Sequence, residues 1–379
     1  MTLVLLGWLV VVGQSSLVEI SNTVPRRDAS GELMDVHDGN IFFHDGLYHW
    51  FGMGYNNCTE TTGVIPPFNC PGIYQKFGGC GFRTDHAVRY YSSPDLSSWK
   101  LQSLNVLPVS SRPNGIYYRP KVVFNTQTKL FVLWVNLLPY SADESPLQVY
   151  PHAVYLVASS AQLAGPFVVR TKQAAVAHSG GGDFTVFIDT RDTRRTAYIA
   201  YDAWSNNHVV TIEQLTPDYL DSKGSSFSSG PLSPAGNEAP IVFERGGYFY
   251  LLFGPTCCFC SEGSGSVVLT AESPLGPYSA TRHLDLNPSH GIFKGRTIKA
   301  QENFVITVPF PSSSLSTSSS NGSHSWQFVY TGDRWASAED KLKSHDFQYW
   351  FPLVFNDTTV PAEICPLQWV DSFTLNSAE

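Results

Sequence analysis

The chain has 379 residues, 42% of them hydrophobic, 13% aromatic and only 15% charged, with 30 glycines and 25 prolines. That is ample material for a large apolar core, and the low charge excludes a disordered chain or a coiled coil. Net charge is −8 and no basic run exceeds the Arg26-Arg27 and Arg194-Arg195 pairs, which excludes a phosphate-binding face and hence a nucleic-acid partner.

Residues 3–12 (LVLLGWLVVV) form an apolar run too short to span a bilayer but long enough for a signal-peptide core, with the small residue Gly13 behind it. Residues 1–13 are therefore expected to be removed on secretion, leaving an extracellular chain with no membrane attachment; a buried first strand is the alternative. Three N-x-S/T triplets, at Asn57, Asn321 and Asn356, fit the same route as glycan acceptors. Seven cysteines lack zinc-ligand spacing: Cys58, Cys70 and Cys80 in one Gly/Pro-rich stretch, Cys257, Cys258 and Cys260 in a CCFC cluster, and Cys365. They read as disulfide partners with an odd thiol left over.

Residues 41–52 (IFFHDGLYHWFG) spell strand, His-Asp-Gly turn, strand. The pattern returns at 122–135, 185–201 and 241–254, and more loosely at 304–308 with 326–330 across a Ser-rich loop, 311–325. Further strand-like pieces follow each hairpin, at 88–92, 153–158, 208–214 and 266–270. Helix periodicity is scarce. Five units of four strands account for nearly all of 14–379, so the spacing predicts one all-β domain, a five-bladed β-propeller, with a jelly roll or a pair of β-sandwiches as the alternative.

A propeller brings the start of every unit's first strand to one central channel. Asp38 opens the first unit, Asp183 the third and Glu238 the fourth. Each alone reads as a turn or cap residue, but together they are the equipment of glycoside hydrolysis: an acid for the leaving oxygen, a base for water, and a third group that tunes the acid. His37 is a candidate for orienting the base or touching a sugar, and Trp204 and Trp335, flanked by polar residues, are candidate platforms for sugar faces at the rim. No ligand set for a cofactor or a channel Ca²⁺ stands out.

On these residues the chain resembles glycoside hydrolase family 43, whose members are five-bladed propellers and mostly inverting glycosidases, from about Val36 onward. Asp38 with Ile41 is similar to the family's base segment, with Gly39 where the family has Pro. Asp183 with Phe187 and Asp189 resembles the segment of the pKa-modulating aspartate, and Glu238 in Glu-Ala-Pro resembles the general acid. YYSSPDLSSWK (90–100), RPKVVFN (119–125), AGPF (164–167), PLGPY (274–278), TGDRW (331–335) and YWFPL (349–353) resemble the exo-β-1,3-galactanase branch. That branch has a glycine at the position of Asp38 and uses a fifth-blade glutamine to position water; Gln301 is similar to that glutamine. It carries acidic residues where Met53 and Tyr118 stand, so Tyr118 and the adjoining Arg119 are expected to contact the sugar. The resemblance implies an inverting hydrolase of β-1,3-galactan or arabinogalactan-type poly- or oligosaccharides, without a cofactor. An arabinan- or xylan-directed glycosidase and a carbohydrate-binding propeller without catalysis are the alternatives.

Overall fold

Asp45 and Gly46, with φ of 47° and 79°, form the two-residue turn that joins strand His37–His44 to Leu47–Gly54. Two successive positive-φ residues give the turn a twist matching that of the paired strands, and Gly246 with Gly247 repeats it between Asn237–Arg245 and Tyr248–Pro255. The computed structural model describes residues 16–57, 59, 83–140, 146–256, 259, 261–280, 285–289, 296–309 and 326–377. All five expected hairpins are present within it. The expected leader 1–13, the triplet at Asn321, the loop 311–325 and every cysteine but Cys365 lie outside the described residues.

Four sheets are antiparallel meanders of four strands. The first blade is His37–His44, Leu47–Gly54, Ala87–Ser93 and Lys100–Ser103; the second is Gly115–Asn125, Leu130–Pro139, Val154–Ser160 and Val168–Thr171. The third is Gly181–Ile188, Ala197–Ala203, Thr211–Gln214 and Ser228–Pro231; the fourth is Asn237–Arg245, Tyr248–Pro255, Val267–Ala271 and Ser279–Ala280. Among the described residues the fifth, expected to have four strands, shows three: Gln301–Pro309, Trp326–Arg334 and Phe347–Pro352. Three of the family-like segments are the outer hairpins of blades. Residues 90–100 join the last two strands of the first blade, and 164–167 and 274–278 do so in the second and fourth, where Gly165 and Gly276 take φ of 74° and 95°.

Each blade buries one face against the next. Phe51 and Leu133 lie in the core shared by blades one and two, Tyr155 and Ile199 in that of two and three, Phe187 and Leu251 in that of three and four, and Ile241 and Tyr330 in that of four and five. Trp50, Ile306, Val329 and Trp350 then pack blade five against blade one. Each such side chain contributes about 1.5–3 kcal/mol by leaving water. The fifth cluster closes the ring, so the fold is a five-bladed β-propeller and not a sandwich or a jelly roll.

A separate two-stranded sheet pairs Ser16–Ser21 with Ser372–Ser377. Beside it, Asn22 acts on the edge of blade five as a strand would: its Oδ1 accepts the Trp350 N–H (2.9 Å), and its Nδ2 donates to the Trp350 and Val370 carbonyls (2.8 and 3.1 Å). One amide side chain thus satisfies the outward N–H and C=O of Trp350 on that edge.

Candidate active site

The innermost strand of every blade slips register near its start: between His37 and Asn40, Tyr118 and Lys121, Gly181 and Phe184, Glu238 and Ile241, and Glu302 and Phe304. A bulge adds a residue to one strand and re-aims its side chain. Asp38 and Arg119 lie within these bulges with φ of 58° and 48°, and Ala239, next to Glu238, has φ 57°. Left-handed backbone costs an L-residue about 1 kcal/mol, a cost the surrounding sheet sustains at three positions around one channel. At Gly39 the chain runs so close to the second strand that a Cβ would lie 1.5 Å from the Phe51 carbonyl oxygen, which leaves no room for the proline of the family segment.

The bulges bring Asp38, Asp183, Glu238, Arg119 and Gln301 together. Arg119 stands at the centre: its Nε lies 2.5 Å from Asp183 Oδ1, and although burial works against its charge, Asp183, Asp38 and Glu238 together raise its pKa. Gln301 links two carboxylates, its Nε2 donating to Glu238 (2.7 Å) and to Asp183 (3.2 Å). The amide's orientation follows from Trp335, whose indole N–H can only donate and does so to Gln301 Oε1 at 2.8 Å. Burial raises the pKa of Asp183, and Arg119 opposes the shift. Asp183 keeps the most open side chain of the group, 22% exposed.

Asp38 is only 3% exposed. Its backbone N–H donates to Asp333 (3.0 Å), and its Oδ2 accepts the Tyr55 hydroxyl (2.7 Å). Burial raises its pKa, and so does Asp333; Arg119, Tyr55 and Lys343 pull the other way. Behind it Lys121 is wholly buried, its ammonium donating to the carbonyls of Asp38 (3.1 Å) and Gly39 (2.6 Å) and to Asn303 Oδ1 (2.8 Å), which ties blades one, two and five together. Burial, helped by Arg119, pushes the Lys121 pKa well down.

Other expected contacts fall differently. Trp335 is 2% exposed and committed to Gln301, so it is not a rim platform; the polar residues that flank it are themselves turned to site and structure, Asp333 to Asp38 and Arg334 to the Asn22 carbonyl. His37 is buried as a support, its Nδ1 3.4 Å from Asp333, with rings of Tyr55 and Trp335 at 5.6 Å; burial lowers its pKa but Asp333 and Asp35 outweigh it, and the net shift is upward. Tyr118 is buried against His86 and Phe259. Trp204 does lie part-exposed, stacked on Tyr150 at 5.4 Å and edge-on to His208 at 4.6 Å. His208 in turn binds Asp202 at 2.6 Å, and burial lifts the Asp202 pKa to about 6. Tyr55, Lys121, Asp333 and Lys343 were not anticipated; Lys121 and Asp333 sit within the RPK and TGDRW segments, whereas Tyr55 and Lys343 carry no motif. Among the described residues no group of three or more His, Cys, Asp or Glu side chains is placed to hold a metal.

Removing the central cation isolates the carboxylates. Arg119→Met is expected to cost about 3–5 kcal/mol of stability at neutral pH, the usual penalty for breaking a buried ion pair. The loss should shrink as the pH falls, because burial raises the pKa of Asp38 and of Asp183 and a protonated carboxyl no longer needs a partner. Thermal unfolding of both proteins at pH 4.5 and 8 measures this, and an equal loss at both would show that Arg119 acts by packing alone.

A sequence profile describing Glycosyl hydrolases family 43 matches residues 79–307. Among solved structures, an exo-β-1,3-galactanase from Clostridium thermocellum is 24% identical with a TM-score of 0.69, over 95% of this chain and 67% of that one. An exo-β-1,3-galactanase from Phanerochaete chrysosporium, solved with β-1,3-galactotriose, is 22% identical with a TM-score of 0.66, over 96% of this chain and 69% of the other. A family 43 β-1,3-galactosidase gives 23% and 0.66, and this chain spans 64% of its length. At such identities the likeness is one of fold. The comparison with curated proteins gave no match. The profile covers more than half of the chain, on the same propeller whose bulged inner strands gather the carboxylates, and the chain belongs to family 43 of the glycosyl hydrolases.

Proposed function

We propose that this chain is a secreted, inverting glycosidase of β-1,3-galactan or related arabinogalactan-type glycans. The observation that carries the reading is the gathering of three carboxylates around Arg119, with Gln301 bridging Glu238 and Asp183. In this reading Glu238 protonates the leaving oxygen, and Asp183, sharing a donor with it, favours its protonated form by like charge. Asp38 takes the proton of the attacking water, so that water adds to the anomeric carbon on one face as the glycosidic bond breaks on the other. Asp38 suits this role better than Gln301. A neutral amide whose oxygen is bound to Trp335 and whose N–H groups face two carboxylates can hold its neighbours but accepts no proton. The galactan preference rests on the family-like segments and on the galactanases and galactosidase of the same fold.

Product analysis by proton NMR tests class and stereochemistry together. β-1,3-Galactan oligosaccharides should release galactose first seen as the α-anomer, with arabinan and xylan oligosaccharides untouched. A β-anomer would overturn inversion, release from arabinan or xylan alone would move the substrate, and no turnover on any of them would favour a binding propeller.

A further inference from the structure

Tyr55 and Lys343 come from opposite ends of the chain and meet beside Asp38. The Tyr55 backbone is pinned by Asp35, whose Oδ1 accepts the Tyr55 N–H and whose Oδ2 accepts the Asn56 N–H, both at 2.9 Å, while Arg89 holds the same carboxylate at 3.0 Å. Its ring packs edge-on to His86 at 4.8 Å and Trp335 at 6.0 Å, so the hydroxyl has one direction to point, toward Asp38 Oδ2. Lys343 lies on the short 3-10 turn Lys343–His345 and is 2% exposed. Its ammonium sits 3.8 Å over the Trp335 ring, 4.2 Å over Phe259 and 4.9 Å over Tyr55. Its place over the ring whose hydroxyl binds Asp38 puts a positive charge close to that carboxylate.

We infer that Tyr55 and Lys343 are positioning residues for Asp38: the phenol fixes one carboxylate oxygen and the ammonium packed on its ring sets a positive charge beside the group, so that the other oxygen is presented to water. The inference rests on the reading of Asp38 as the base. Among the described residues no hydrogen bond reaches Asp38 Oδ1, which is the oxygen left for that water. The charges facing Asp38 are Arg119 from blade two, Asp183 from blade three, Asp333 from blade five, and Lys121 on its carbonyl. Lys343 and Tyr55 join Arg119 in favouring the ionised form against burial and Asp333.

The test is the acid limb of the pH dependence of kcat/KM on β-1,3-galactan oligosaccharides, read beside the carboxyl carbon-13 titration of Asp38 in aspartate-labelled protein, assigned by its absence in Asp38→Asn. Tyr55→Phe and Lys343→Met should each move both midpoints up by about one pH unit, the size of one charge-assisted contact, while Lys343→Arg should keep them in place. Should Lys343→Met fail to fold, Tyr55→Phe and Lys343→Arg still decide. Unmoved midpoints in Tyr55→Phe, or a shift in Lys343→Arg equal to that of Lys343→Met, overturn the positioning role. If instead Asp38→Asn keeps turnover while the titration shifts as expected, the pair does hold the carboxylate and it is the base assignment that falls.

Discussion

Glu238→Gln is expected to lower kcat on β-1,3-galactan oligosaccharides by about 10²–10⁴-fold, the range of general-acid assistance. The amide cannot give a proton to the leaving sugar oxygen. Its carbonyl can still accept from Gln301 Nε2, now 2.7 Å from Glu238 Oε1, so the framework survives the change. A dinitrophenyl glycoside departs without protonation, and on it the variant should keep most of the wild-type rate. Comparing the two substrates separates proton donation from binding. Equal losses on both would mean that Glu238 serves the site in some way other than as acid.

Asp38→Asn should be as damaging for a different reason. Asparagine fits the same bulge, since it tolerates left-handed backbone as aspartate does, and its carbonyl can accept the Tyr55 hydroxyl. What it loses is the capacity to take a proton, so kcat should fall about 10²–10⁴-fold with KM nearly constant. Gln301→Ala provides the contrast. Without the bridging amide, Glu238 and Asp183 lose their shared donor, and the expected result is a smaller drop, about 10–100-fold, as a lost hydrogen bond to a charged group would give. A reversal, with Gln301→Ala inactive and Asp38→Asn mildly affected, would transfer the handling of water to Gln301.

The hairpins were legible because their chemistry is local: Asp45-Gly46 and Gly246-Gly247 can hardly be anything but turns between alternating strands. The carboxylates were legible because repetition marks position. Asp38, Asp183 and Glu238 stand at the same place in three units, and a closed ring makes such places neighbours. Trp335 was misplaced at the rim because polar neighbours usually mean solvent, whereas Asp333 and Arg334 are polar for the sake of Asp38 and Asn22. Tyr55 and Lys343 could not be anticipated at all. They stand 288 positions apart and meet only after the ring has formed, and nothing in their immediate surroundings marks them. Among the described residues the fifth blade shows three strands, and at its edge the Asn22 side chain pairs with the Trp350 backbone, a contact between positions far apart in the sequence.

The left-handed backbone at Asp38 has a consequence for descent. At φ 58° glycine sits without strain, while aspartate is held there at a cost of about 1 kcal/mol. The branch that this chain resembles has glycine at the same position, and either aspartate codon becomes a glycine codon by one change in its middle base. A lineage can therefore gain or lose the carboxylate by one nucleotide substitution while the inner strand keeps its path. The bulge thus makes this a position where a carboxylate can come and go without rebuilding the strand.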